Sequence, residues 1–249
     1  MKAASNQLVS RFLLAGLCSM VLTACDPFEK QRAEQAEKTR IECLDKICTG
    51  DKPPPRPPGR VVFKLNGQWF TGPNEYGSPS LGAIAFYWPS KAASGDPDAV
   101  EKASEVVFNS NGSVGNFYDV AIEIFLRTNT IPPEPRGYQL IELAEAKDWI
   151  ASRTTLRPGL DAITMRHVIG PRGYYIDHVT YYVATQLKGV DGLPPVATCA
   201  HAYPDDSGGT GFMWQPGIWA GTRMNQKHCA DWPEIFQETT RVLQLLKKA

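Results

Sequence analysis

The residues in this chain that could bind a metal or run a reaction are six cysteines, four histidines and a few clustered carboxylates. Cys43 and Cys48 lie close together, and Cys199 and Cys229 bracket the late part of the sequence. A structural zinc site would need a second cysteine or histidine pair at matching short spacing, and Cys43-x4-Cys48 has none. In an oxidising compartment an even set of four reads instead as two disulfides. Of the three possible connectivities, the local one joins Cys43 to Cys48 and Cys199 to Cys229. Closing a loop the size of 199–229 gains about 3–4 kcal/mol in the chain-entropy model. His167, His178, His201 and His228 are scattered, with no metal-ligand spacing. Asp205 and Asp206 could approach a calcium ion, but no twelve-residue calcium loop surrounds them. No metal or other cofactor is expected.

His201 and Ser207, with two aspartates between them, carry the residue types of a nucleophile, a base and an acid. Thr198-Cys199-Ala200-His201 and Asp206-Ser207-Gly208-Gly209 are similar to the histidine and serine segments of serine proteases. In that fold the two residues come from separate barrels, and the six-residue separation here leaves no room for them. Position 205 is Asp where that motif has Gly. Pro204-Asp205-Asp206-Ser207-Gly208-Gly209-Thr210-Gly211 is turn chemistry throughout and reads as a surface loop. No Gly-x-Ser-x-Gly elbow, phosphate loop or dinucleotide fingerprint occurs. The His-x-Lys motif of phospholipase D enzymes is missing as well. A binding role is expected, without catalysis.

The cysteine at position 25 has a different chemistry. Lys2 and Arg11 precede the apolar run Phe12 to Leu22, a basic n-region and a short h-region of an export signal. At about 1.5 Å per residue such a run would not cross a hydrocarbon core of about 30 Å. Leu22-Thr23-Ala24-Cys25 resembles the lipobox of bacterial lipoproteins. That resemblance implies a diacylglyceryl group on the Cys25 sulfur, cleavage after residue 24 and a periplasmic protein held by lipid to the cell envelope. Asp26 resembles an inner-membrane retention signal of enteric bacteria, but the rule varies between groups, so either membrane fits. Cleavage would remove Lys2 and Arg11 and leave 24 basic and 26 acidic residues, a net charge of −2. No basic excess points to nucleic acid.

Three regions follow: a signal peptide over 1–24, a lipidated, charged and proline-rich tether over 25–59, and a globular domain over 60–249. Residues 26–49 are charge-rich with a thin apolar stripe, suited to a solvated helical stalk. Lys52-Pro53-Pro54-Pro55-Arg56-Pro57-Pro58-Gly59 is suited to a stiff polyproline II spacer. Val61 to Phe70 reads as a hairpin about Asn66-Gly67. Further strands are expected over Leu81–Trp88, Asn116–Arg127, Leu160–Val168, Tyr174–Leu187 and Val196–Ala202, with an extended Phe212–Met224 interrupted at Gln215-Pro216-Gly217. In the Asn116–Arg127 segment Tyr118, Val120, Ile122, Ile124 and Leu126 share one face. Leu140–Ala151 reads as a helix. The last helix has Asp231 and Glu234 placed as a box-like cap. Its apolar stripe is Trp232, Ile235, Phe236, Thr239, Val242, Leu243 and Leu246. These elements predict an α+β fold, mainly antiparallel sheet with one or two packed helices, including this amphipathic C-terminal one.

The lipobox with its charged, proline-rich tail, and a domain opening on Leu65-Asn66-Gly67-Gln68-Trp69 and closing on His228-Cys229-Ala230-Asp231-Trp232-Pro233, together resemble the periplasmic immunity lipoproteins of type VI secretion phospholipase effectors. The likeness is of overall pattern and spans most of the chain. It implies a toxin inhibitor whose partner is a cognate phospholipase effector protein and whose membrane attachment is its N-terminal lipid. An envelope lipoprotein with a scaffolding or assembly role is the alternative. An inhibitor needs a rigid scaffold presenting aromatic anchors. The segment Tyr203 to Trp219 offers Tyr203, Asp205, Asp206 and Trp214 for partner binding.

Overall fold

A computed structural model describes residues 29–77, 83–128, 135–169, 175–177, 179–198 and 211–249. The chain divides into two compact units, Met1–Ile41 and Glu42–Ala249. In the first, the described residues belong to α1 (Glu29–Glu42), which buries no side chain. Its charges pair along its own surface, Lys30 with Glu34 and Arg40 with Glu37. Such pairs support an isolated helix by a few tenths of a kcal/mol each, as the composition of a solvated stalk requires.

The second unit is α+β and mainly sheet. Its strands are β1 (Arg60–Leu65), β2 (Gln68–Pro73), β3 (Ile84–Tyr87), β4 (Ala121–Thr128), β5 (Ile150–Arg157), β6 (Leu160–Met165), β7 (His167–Ile169), β8 (Tyr175–Asp177), β9 (Thr180–Ala184), β10 (Val196–Thr198), β11 (Phe212–Gln215), β12 (Ile218–Arg223) and β13 (Lys247–Lys248). Its helices are α2 (Pro97–Glu101), α3 (Phe117–Val120), α4 (Tyr138–Ala146) and α5 (Trp232–Gln244). The strands form three antiparallel sheets, ordered β1-β2-β13, β11-β12-β4-β3 and β10-β9-β6-β5, with β7-β8 as a separate ribbon.

The first hairpin forms as its sequence dictates. Leu65 faces Gln68 across Asn66 and Gly67, both with positive φ (49° and 74°), the geometry of a two-residue primed turn. β11 and β12 turn at Pro216 and Gly217, where Gly217 has positive φ (79°) and Pro216 does not. α5 buries Trp232, Ile235, Phe236, Thr239, Val242 and Leu243 of the expected stripe, and Leu246 is buried just past its end. That stripe joins inward-facing residues of all three sheets in one core: Phe63 and Phe70 from the first, Ile122 and Ile124 from the second, Leu160 and Ala184 from the third. The third sheet is covered on its other face too. Ile141 and Ala144 of α4 pack there on Ile163, Met165, Tyr181, Val183 and Val196.

Several boundaries differ from the sequence expectation, each for a physical reason. Residues 117–120 are one helical turn and not strand, so Tyr118 points to solvent while Ile122, Ile124 and Leu126 keep the expected inward face. The helix at 140–151 begins at Tyr138 and ends at Ala146. The chain turns through Asp148 at positive φ (54°) and runs out as β5. β5 carries no periodicity because Ala151 to Leu156 are exposed on both of its faces. Asp231 makes no side-chain cap on α5. Its carboxylate accepts the Trp88 indole N–H at 2.9 Å, and Glu234 takes the Arg157 guanidinium at 2.5 Å.

The folded unit also begins earlier than residue 60. Cys43 and Cys48 are disulfide-bonded, and the loop they close is fastened to the first hairpin. Gly67 N–H donates to the Leu44 carbonyl (2.9 Å), Asn66 N–H to Asp45, and Lys64 Nζ to Asp51 at 2.6 Å. In the proline tract that follows, Asp51, Pro54, Pro57 and Arg60 are half-buried and the residues between them exposed. A period of three is that of a polyproline II helix lying with one edge on a surface. The tract is a strap on the domain and not a free spacer.

Two predictions test this construction. Gly211 has φ of 110°, and a Cβ there would stand 2.0 Å from the Ala220 carbonyl oxygen. Gly211→Ala is expected to lower stability by roughly 2–4 kcal/mol in urea unfolding, combining backbone strain with overpacking. The hydrogen bond from Lys64, then that from the Cys48 N–H, holds the Asp51 carboxyl below its ordinary value. Its stabilisation is complete above the unfolded-state value of about 3.9 and is lost as pH falls through the lower folded value. The thermal midpoint of the wild-type chain should therefore fall more steeply than that of Asp51→Asn below about pH 4.

Candidate functional site

Of the residues expected to bind a partner, Tyr203, Asp205 and Asp206 lie outside the described residues, as do Cys25 and Cys199. Trp214 is described and turns inward. It sits on β11, half-buried against the main core, with its ring 5.7 Å from that of Phe70. Cys229 is disulfide-bonded and 3 % exposed, and its expected partner Cys199 lies outside the described residues.

An aromatic surface does appear elsewhere. Among the described residues the large apolar side chains left in solvent are Ile47, Val107, Phe108, Tyr118, Leu156 and Val190. Three of these six fall between positions 107 and 118, so the exposure is concentrated in one place. The segment 105–118 is a small knuckle. Phe108 bridges Val114, and Gly115 N–H donates to the Val107 carbonyl at 2.7 Å. Its tip, Asn109-Ser110-Asn111-Gly112-Ser113, is tied by Asn109 and Asn111 to Ser113. Asn116 crosses the base, accepting the Val107 N–H at 2.9 Å and donating to the Glu105 carbonyl at 2.8 Å. Val107, Phe108 and Tyr118 are 60 %, 47 % and 76 % exposed.

The knuckle rests on its own small core of Tyr87, Val100, Val120 and Ala121. Phe117 is wedged edge-on between Tyr87 and the exposed Tyr118, at 6.0 and 5.5 Å. The turn that carries Phe117 and Tyr118 is held from below by buried polar groups. A His228 ring nitrogen lies 2.8 Å from the Asp119 carbonyl, and Asn225 donates to the Asp119 carboxylate at 2.8 Å. Asn225 is itself fixed by accepting the Lys227 N–H. Trp88 N–H donates to the Val120 carbonyl at 2.8 Å while its indole holds Asp231. The aromatic surface is thus joined rigidly to the start of α5.

The flanks are acidic. Asp96, Asp98, Glu101, Glu105 and Asp119 face only Lys102 in the stretch 96–119. Asp96 caps α2 through the Asp98 and Ala99 N–H groups, and Glu105 accepts the Ser90 N–H. These donors are neutral backbone groups. A second polar cluster lies along α5. The carboxylate of Glu238, then the Tyr76 hydroxyl, bind Arg241 and raise its pKa further, and Lys91 lies 3.9 Å from Glu238. This cluster ties α5 to the turn after β2 and exposes no apolar group. Among the described residues no three His, Cys, Asp or Glu side chains group as a metal site, and no helix is long and apolar enough to cross a membrane.

The knuckle offers Phe108 and Tyr118 to solvent, the latter on a turn braced through Asp119. Sequence patterning missed it because Tyr118 alternates in phase with Ile122 and Ile124. The signal that could have found it is Asn109-Ser110-Asn111-Gly112-Ser113, a turn cluster between Val106-Val107-Phe108 and Val114. The chain matches no family model, no curated protein and no solved structure.

The tip and the brace should separate in a stability measurement. Phe108→Ser with Tyr118→Ser is expected to shift unfolding free energy by no more than about 0.5 kcal/mol, because exposed side chains contribute little. Asn225→Leu is expected to cost about 1–3 kcal/mol by leaving the polar groups it serves unpaired.

Proposed function

We propose that this chain is a lipid-anchored periplasmic immunity protein that binds and inhibits a phospholipase effector of type VI secretion. The observation that carries the reading is Leu22-Thr23-Ala24-Cys25 placed directly after an apolar signal run. The rest of the chain suits it. A stalk helix and a disulfide-closed loop follow the anchor, and both Cys43–Cys48 and the bonded Cys229 suit an oxidising compartment. The body offers a rigid aromatic surface, which is what occluding another protein requires.

An inhibitor tethered to the membrane meets a lipase where the lipase must work. Confinement to a thin shell raises its effective concentration there, as a linker does for a second binding site. No chemistry is asked of the chain, since inhibition follows from covering the mouth of the enzyme.

The test uses the full-length protein and the phospholipase encoded beside it. Equimolar lipidated protein is expected to abolish hydrolysis of phospholipid vesicles, and its expression to protect cells that export the enzyme to the periplasm. Cys25→Ser should leave inhibition in solution intact but move the protein from the membrane fraction to the soluble one and weaken protection. Undiminished hydrolysis with the wild-type protein present would overturn the reading.

A further inference from the structure

We infer that the knuckle at 105–118 is the face that enters the phospholipase, with Phe108 and Tyr118 as anchors in its lipid-binding cleft and the acidic flanks on its rim; this rests on the immunity reading above. Val107, Phe108 and Tyr118 are exposed along a segment that rests on one small core, α2 with its exposed Asp98 and Glu101 contributes Val100 to that core, and Asp119 is exposed next to Tyr118. An enzyme that draws anionic phospholipids out of a bilayer needs the opposite arrangement. Its cleft must be apolar to take acyl chains, and its rim cationic to take phosphates. A mouth built for an anionic amphiphile is complementary to an aromatic tip with acidic flanks, in shape and in sign.

The construction of the knuckle supports this occupant over chance exposure. Scattered single apolar residues on a surface need no explanation, and Ile47, Leu156 and Val190 are of that kind. The aromatic residues at 117 and 118 differ, because their turn is held by His228 and Asn225, both more than nine-tenths buried. These buried hydrogen bonds fix the turn that exposes Tyr118. They remove the ordering cost that a flexible anchor would pay on binding. Anchors of this kind, aromatic and central, carry most of the energy of protein interfaces.

Binding of full-length protein to the neighbouring phospholipase is the measurement, by calorimetry and by surface-coupled kinetics at two salt concentrations. Wild type should bind. Phe108→Ser with Tyr118→Ser should weaken binding by about 30-fold or more while the thermal midpoint stays unchanged. Asp98→Lys with Glu101→Lys should slow association at least about 10-fold at low salt, and the difference should shrink as salt is raised. If wild type binds and the serine variant binds equally well, the inference fails and the immunity reading stands. If wild type does not bind, both fail. If light scattering finds a wild-type dimer that the serine variant dissolves, the occupant is a second copy and the inference is overturned.

Discussion

Burial of the Trp232 side chain is the constraint on which the second unit depends. Its indole is fully inaccessible to solvent, touches Phe236 edge-on, and donates its N–H to the Pro195 carbonyl at 3.1 Å. An indole N–H buried without an acceptor would cost more than its ring gains from a poor fit. The position of α5 is therefore fixed relative to the segment before β10, and from there the three sheets take their places about the helix. Removing such a ring from a core typically costs about 3–5 kcal/mol, a large part of the stability of an ordinary domain. The helix has no side-chain cap of its own, so its start is set by this packing together with the flanking Asp231–Trp88 and Glu234–Arg157 contacts.

The same helix start braces the aromatic knuckle. His228 and Asn225 lie in the 3₁₀ turn Gln226–Asp231 and the residue that caps it. They reach Asp119 just where the chain leaves its single helical turn for β4. Interior packing and surface presentation thus meet within a few residues. Stability resides below this joint, in Trp232, Ile122 and Phe86, all within the core. The tip above it exposes Val107 and Phe108 and adds little to the core.

Elements whose two ends of evidence agree were legible in the sequence. The Asn66-Gly67 hairpin combines alternating apolar residues with a dipeptide that accepts positive φ twice. α5 combines helical period with a long stripe. Failures came where local pattern and tertiary placement diverge. Tyr118 keeps the phase of a strand but sits on a helical turn, because Asn116 and Asp119 are claimed by side chain–backbone bonds that strand pairing would break. β5 was invisible because an edge strand exposed on both faces has no alternation to read. The strap at 43–59 was read as tether because proline and charge have the same composition in a free spacer and in one lying on a surface. Its half-buried residues at every third position show only in the fold. For the site, the aromatic count drew attention to 203–219, while Trp214 is spent on the core beside Phe70.

The smallest strand has a consequence for how the molecule comes into being. β13 contributes only Lys247 and Lys248, yet it completes the first sheet by pairing with Thr71 and Phe70, and Ala249 N–H adds a bond to the Trp69 carbonyl. Arg60 closes the joint from the other side by donating to the Leu245 carbonyl at 2.9 Å. Residues some 180 positions apart in sequence must meet before β2 is paired along both edges. A chain emerging from its N-terminal end therefore carries an open edge on β2 until residues 247–249 arrive. Any shortened product would keep that edge bare, marking itself for pairing with other chains or for degradation.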